Sequence, residues 1–250
     1  GRALILRRQL QLFLSLHVPL SPQDAQVSAV HRQQHHGARE ELITHISDAL
    51  PAEHDRSVKT CEELDLSVAL YKHLLQEEAS GCDFPKRKLY LLGFDLDQDL
   101  IHRAQNSNPF PQNIQFIPLD ITDDAKSQAV LESYLGSFGC PRFHLCTCFA
   151  VTMWVHLNHG DATFLSLLSR LASLCEYLLL EAQPWKCYRS AARRLRKLGR
   201  SDFDHFKTLE IRGDMAAHAR EHLEKQCSME LMQSFGNTTW DRSLLLFRRR

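Results

Sequence analysis

The chain gathers Trp154, His156, Asn158, His159 and Asp161 within eight residues, in the run Phe149-Ala-Val-Thr-Met-Trp-Val-His-Leu-Asn-His-Gly-Asp161. Imidazole, carboxamide and carboxylate groups this close together can orient an anion, shuttle a proton or ligate a metal. The metal reading is the poorest, because no Cys and no third His stands at zinc spacing. Two readings remain, a polar active-site loop and a buried hydrogen-bonded turn. Two further acidic groups end short apolar runs: Asp95 and Asp97 follow Leu89 to Phe94, and Asp120, Thr122 and Asp123 follow Ile114 to Leu119. An acid where a strand ends can accept hydrogen bonds from the ribose of a nucleotide-like cofactor, or simply cap the next helix. Both readings stand for Asp95. Asp120 could meet an adenine amino group with Ile121 packed on the ring, or its turn could serve only to let Thr122 or Asp123 start a helix.

A second unusual segment begins at Gln183-Pro184-Trp185. From there to Arg200 the chain carries Lys186, Arg189, Arg193, Arg194, Arg196, Lys197 and Arg200 and no acid. On a helix, Trp185, Tyr188, Ala192, Leu195 and Leu198 share one face, while Lys186, Arg189, Arg193, Arg196 and Arg200 share the other. Solvated helix faces usually mix signs. A purely cationic stripe suits a phosphate backbone or an anionic membrane surface, and nucleic acid is the favoured partner.

The elements that must position these residues alternate. Leu64 to Leu75 reads as an amphipathic helix, Leu89 to Phe94 as a strand buried on both faces, and Asp99 to Asn106 as a helix. Strands follow at Ile114 to Leu119, Phe143 to Val151 and Tyr177 to Leu180. Helices are expected over Lys126 to Phe138, Phe164 to Cys175 and Lys186 to Leu198. Such alternation implies an α/β fold with a mostly parallel sheet covered on both faces. The final runs, Met229 to Phe235 and Leu244 to Phe247, lie close enough in sequence to form an antiparallel hairpin. Residues 1–60 read differently. They hold six of the fourteen histidines and two candidate helices, about Gln23 to His35 and Ala38 to Ala49. They are expected to be an atypical N-terminal extension, partly helical or disordered, ahead of a domain over 61–250.

Composition excludes several classes. The 250 residues are 44% hydrophobic and 24% charged, the balance of a globular protein rather than a disordered one. Leu10 to Leu20, interrupted by Gln11, Ser15, His17 and Pro19, is too short and too polar to span a bilayer. Behind Arg7 and Arg8 it permits a signal-peptide reading, which the lack of a small-residue cleavage site weakens. Beginning at Gly1 rather than Met is the expected mark of a fragment or processed product. Eight cysteines without a CxxC pair suit reduced thiols in a cytosolic or nuclear protein better than a disulfide framework, and a cytoplasmic location is expected. The formal charge is zero, yet residues 61–140 carry 6 basic against 13 acidic groups and residues 141–250 carry 17 against 11. That asymmetry suits a protein meeting an anionic partner on one side.

Three segments carry a family resemblance: Val151-Thr-Met-Trp-Val-His-Leu-Asn-His-Gly-Asp161, Gln183-Pro-Trp-Lys-Cys-Tyr188 and Phe235-Gly-Asn-Thr-Thr-Trp-Asp-Arg242. They resemble the Bicoid-interacting-3 (Bin3) type of S-adenosylmethionine-dependent RNA methyltransferase, above all the member acting on the 5′-monophosphate of small RNAs such as tRNA or precursor microRNA. The resemblance runs from about Leu64 to Phe247. It implies a Rossmann-like class I methyltransferase sheet of seven strands, with the hairpin at its end. It implies cofactor contacts at Asp95 (ribose), at Asp120 and Ile121 (adenine) and around Phe149, with the Thr152 to Asp161 loop bordering the methyl acceptor. His156, Asn158, His159 and Lys186 are the candidates to position the phosphate, and Arg189, Arg193 and Arg196 to hold the RNA behind it. A monomer without metal or membrane association is expected.

One departure from the family is plain. Its first strand ends in an Asp-x-Gly-x-x-x-Gly loop, whereas the matching stretch here is Val58-Lys-Thr-Cys-Glu-Glu-Leu-Asp65, and no glycine occurs between Gly37 and Gly81. The first strand and glycine loop are therefore expected to be atypical or missing. A rival reading follows, that of a catalytically impaired RNA-binding relative.

Overall fold

The computed structural model describes residues 13–17, 67–68, 70–72, 89–237 and 241–250. The helices expected over 23–35 and 38–49, and the stretch 58–65, lie outside the described residues. Of the helix expected over 64–75, residues 67–68 and 70–72 are described and are helical.

Seven strands form one sheet: β1 (Phe13–His17), β2 (Tyr90–Asp95), β3 (Ile114–Pro118), β4 (Phe143–Cys148), β5 (Cys175–Ala182), β6 (Met229–Asn237) and β7 (Ser243–Arg249). Their spatial order is β3-β2-β1-β4-β5-β7-β6. Strands β2 to β5 all run the same way, and β7 runs against β5 and β6 as the expected terminal hairpin. Strand β1 holds the central slot but runs antiparallel to both neighbours, with Phe13 opposite Phe94 and Cys148 and His17 opposite Tyr90. Residues 13–17 of the N-terminal stretch thus join the sheet, in the direction opposite to the four parallel strands.

Helices α1 (Gln98–Ser107), α2 (Asp124–Ser137), α3 (Thr152–Leu174), α4 (Trp185–Lys197) and α5 (Met215–Gln226) cover the sheet. Carboxylates start three of them. Asp97 accepts from the N–H groups of Asp99 and Leu100 at 2.9 and 3.2 Å, Asp123 from Lys126 at 3.2 Å, and Asp214 from Ala217 at 3.0 Å. Both faces of the sheet are buried. Leu178, Leu180, Leu245 and Phe247 pack with α2 to α5, while Leu179, Leu244, Leu246, Ile114 and Phe116 pack with α1, Leu70 and Tyr71.

Two expectations are corrected. The third strand ends at Cys148 rather than Val151, because Ala150 takes a positive φ of 54° and turns the chain out of the sheet. The Thr152 to Asp161 segment is helix rather than loop. Met153, Trp154, Val155 and Leu157 are buried there, so apolar packing draws the segment onto the sheet. Helix α3 breaks only at Gly160, whose φ of 84° and ψ of −179° are accessible to glycine alone among the amino acids at low cost. Strand β1 and helix α5 were not anticipated.

A side chain at position 160 would also approach the His205 ring, a built Cβ lying 3.1 Å from Nδ1. Gly160→Ala is expected to cost about 1–3 kcal/mol of folding stability. A urea denaturation midpoint shifted down, with an unchanged slope, is the outcome that checks it.

Candidate active site

Four parallel strands put their carboxyl ends along one edge, and ligands of open α/β sheets bind beyond that edge. Asp95 ends β2 there. It is 4% exposed, and one carboxylate oxygen accepts the N–H of Asp97 at 2.7 Å. Burial pushes its carboxyl up to about 6, with the neighbouring Asp97 charge adding to the rise. Since Asp97 takes the helix-capping role, Asp95 is left as a poorly compensated buried acid. Hydroxyl groups of a ligand are the kind of donor that such a group lacks. The central strand runs the other way: the carboxyl end of β1 lies beside Tyr90, at the opposite edge of the sheet.

The turn after β3 is largely self-satisfied. One Asp120 oxygen accepts from the N–H and hydroxyl of Thr122 at 2.8 and 2.6 Å, and Asp123 caps α2. Ile121 is buried, and its carbonyl receives Arg170 from α3 at 3.0 Å. Phe149, beyond β4, is buried with Leu179 and Leu244 on the α1 side of the sheet.

Of the four phosphate candidates, His156 lies deepest. It is fully buried, with Nε2 2.7 Å from Asp161 and Nδ1 3.1 Å from the Tyr188 hydroxyl, and its ring stacks on Phe164. Both nitrogens are therefore engaged, and neither faces a ligand. Burial pushes the imidazole below its ordinary value against the pull of Asp161. Asp161 also accepts the N–H groups of Glu210 and Ile211 at 2.9 and 3.0 Å. Burial works against its ionisation, but those N–H groups and His156 together hold it below the usual carboxylate range. Asn158 is tied to the Trp154 carbonyl at 2.8 Å, and His159 is exposed. Lys186, in the first turn of α4, is exposed and pairs with Asp241 at 2.8 Å. The structure joins His156 to α4 through Tyr188, but not directly to Lys186.

Helix α4 carries its cations outward: Arg189, Arg193 and Arg196 are all exposed, while Tyr188, Ala191, Ala192 and Leu195 are buried. Arg196 has an acid nearby, Asp202, with Nε 3.5 Å from its oxygen. Leu198, expected on the buried face, is 63% exposed because the helix ends at Lys197 and Leu198 is its cap.

Sequence reading missed the polar group at the end of β5. Glu181 is buried and paired with Arg242 at 3.2 Å, and it accepts a hydrogen bond from the backbone of Ala150. Burial raises its pKa, and Arg242 opposes the rise. The only signal was a lone acid closing the apolar run Tyr177 to Ala182. This pair fixes the turn between β4 and α3, with its positive φ, against the turn before β7.

The profile of the family described as Bicoid-interacting protein 3 (Bin3) matches residues 143–249. The chain is 83% identical over 189 residues to a "Pre-miRNA 5′-monophosphate methyltransferase" of Danio rerio, covering 76% of this chain and 74% of that one. It is 49% identical over 205 residues to the protein of the same name in Xenopus laevis, covering 79% of each. It is 51% identical over 189 residues to the Homo sapiens "RNA 5′-monophosphate methyltransferase", covering 75% of this chain and 65% of that one.

The raised pKa of Asp95 fixes a pH dependence. Because the folded state prefers the protonated acid, stability falls as pH rises from the unfolded value near 3.8 to about 6; the cost is complete above that and vanishes below 3.8. Asp95→Asn is therefore expected to stabilise the ligand-free protein by up to about 2–3 kcal/mol above pH 7. The gain should disappear at pH 4, as melting temperatures across a pH series will register.

Proposed function

The chain belongs to the Bicoid-interacting protein 3 family, and we propose that it methylates the 5′-monophosphate of a small RNA, a precursor microRNA or tRNA, with S-adenosylmethionine as methyl donor. The 83% identity to a relative named for that reaction is the observation that carries the reading. The working unit is residues 61–250 with β1 added from the N-terminal stretch. The reaction takes place in the cytoplasm, a setting suited to the six described cysteines, all free thiols.

When bound, the donor supplies a methyl group already activated on a sulfonium centre. Asp95 holds its ribose, and Asp120, Ile121 and Phe149 shape the adenine side. A phosphate monoester has its second pKa near about 6, so the acceptor oxygen is ionised at neutral pH and the chain need supply no general base. What the chain contributes is position, worth roughly 7–11 kcal/mol when two reactants are held in line. Lys186 and the first turn of α4, whose cap Pro184 offers no side-chain bond, receive the phosphate. The ion pair of Lys186 with Asp241 is exposed, so opening it for a phosphate costs little. Asn158 and His159 border the acceptor. His156 acts from behind, through Tyr188 and Asp161, as a positioning residue. Arg189, Arg193 and Arg196 carry the RNA backbone away from the site.

A methyl-transfer assay with labelled donor and one hairpin RNA, prepared with a 5′-monophosphate or a 5′-hydroxyl, tests the reading. Label should enter only the phosphorylated RNA; equal labelling of both, or of neither, overturns it. For the cationic face, changing Arg189, Arg193 and Arg196 together to Gln should weaken RNA binding and flatten its log-log salt slope by about two units. Stability should hardly move, since exposed charges contribute little. An unchanged slope over the titration would make α4 a solvated surface.

A further inference from the structure

Gln183 is 3% exposed, and its side-chain oxygen is fully shielded with no hydrogen-bond partner among the described residues. A buried carbonyl oxygen without a donor is uncommon in folded proteins and calls for a partner supplied from elsewhere. Its place narrows the choice. Gln183 directly follows Ala182, the last residue of β5, which pairs with Ser243 at the start of β7. It directly precedes Pro184, the cap of α4, and stands three residues before Lys186. Gln183 thus stands at the carboxyl end of β5, directly before the first turn of the cationic helix.

The partner must be a donor, since an amide oxygen cannot give a proton to a phosphate. In the terminal nucleotide of an RNA the 5′ position carries the phosphate and the 3′ oxygen is esterified. One sugar hydroxyl is left, at the 2′ position, and it is the group that distinguishes RNA from DNA. With the phosphate on Lys186 and the first turn of α4, the sugar attached to that phosphate is the part of the substrate nearest the residue that precedes the helix. We propose that Gln183 accepts a hydrogen bond from the 2′-hydroxyl of the first nucleotide and so makes the site selective for an RNA end over a DNA end. This rests on the phosphate position proposed above. A site built to pair a hydroxyl rejects the analogue lacking it, because the buried acceptor is then left unpaired.

The test uses one 5′-monophosphorylated hairpin made with ribose or with 2′-deoxyribose at nucleotide 1 only, against the parent chain and Gln183→Met, which keeps the length of the side chain and removes the acceptor. The parent should prefer the ribose substrate about tenfold in kcat/KM, the size of one hydrogen bond. Gln183→Met should lower the ribose value to that of the deoxy substrate while leaving the deoxy value within about twofold. Equal losses on both substrates, a parent indifferent to the first sugar, or an effect that changes with the first base would each overturn the proposal. Should the parent methylate neither RNA, the 5′-phosphate reading falls. Competition binding of the same two RNAs then decides Gln183 separately: a ribose preference lost in Gln183→Met supports it, and its absence overturns it.

Discussion

The packing of α3 against α4 and the segment before α5 hangs on the carboxylate of Asp161. Its two oxygens take the N–H groups of Glu210 and Ile211 and the ring of His156, and the other nitrogen of His156 meets the Tyr188 hydroxyl. One charge therefore ties the break in α3, the segment that leads into α5 and the buried face of α4. Tyr188 then stacks on Trp185, which lies against Phe206 at 5.8 Å and beneath the Arg212 guanidinium. Gly160 is what lets Asp161 reach this position, because only its unusual backbone angles allow the helix to stop and restart there. The residues with the most conspicuous chemistry in the sequence are thus spent largely on architecture. The groups left to meet a ligand sit at the ends of the elements they hold.

A second constraint comes from strand direction. Four parallel strands concentrate Asp95, Asp120, Glu181 and Gln183 along one edge, and the buried acids among them are pushed away from their charged forms. Glu181 is compensated by Arg242, whereas Asp95 has backbone N–H groups and a like charge at Asp97. The difference is that the charge of Glu181 is neutralised within the fold, whereas that of Asp95 is not.

The central strand breaks the pattern. Strand β1 runs against both β2 and β4, so its carboxyl end lies at the edge of the sheet opposite the carboxyl ends of β2 to β5. Strand β1 still completes the backbone hydrogen bonds of both neighbours, so the sheet closes without a parallel first strand. Backbone satisfaction depends on a strand being present, not on its direction.

What the sequence determined by itself is what local spacing encodes. Alternating strands and helices, the terminal hairpin and the outward cationic face of α4 all follow from side chains within about one element of each other, and the structure contains them; which acid caps each helix was left open. Three things were decided elsewhere. The helical state of Thr152 to Asp161 came from burial of Met153, Trp154 and Leu157 against the sheet, which outweighed the loop-like look of its polar residues. The partners of His156 and Glu181 came from Tyr188 and Arg242, 32 and 61 residues away. The direction of β1 came from pairing with strands more than seventy residues distant, for which a five-residue apolar alternation holds no instruction. Periodicity records which face a residue turns inward. Only the packed chain decides what that face meets.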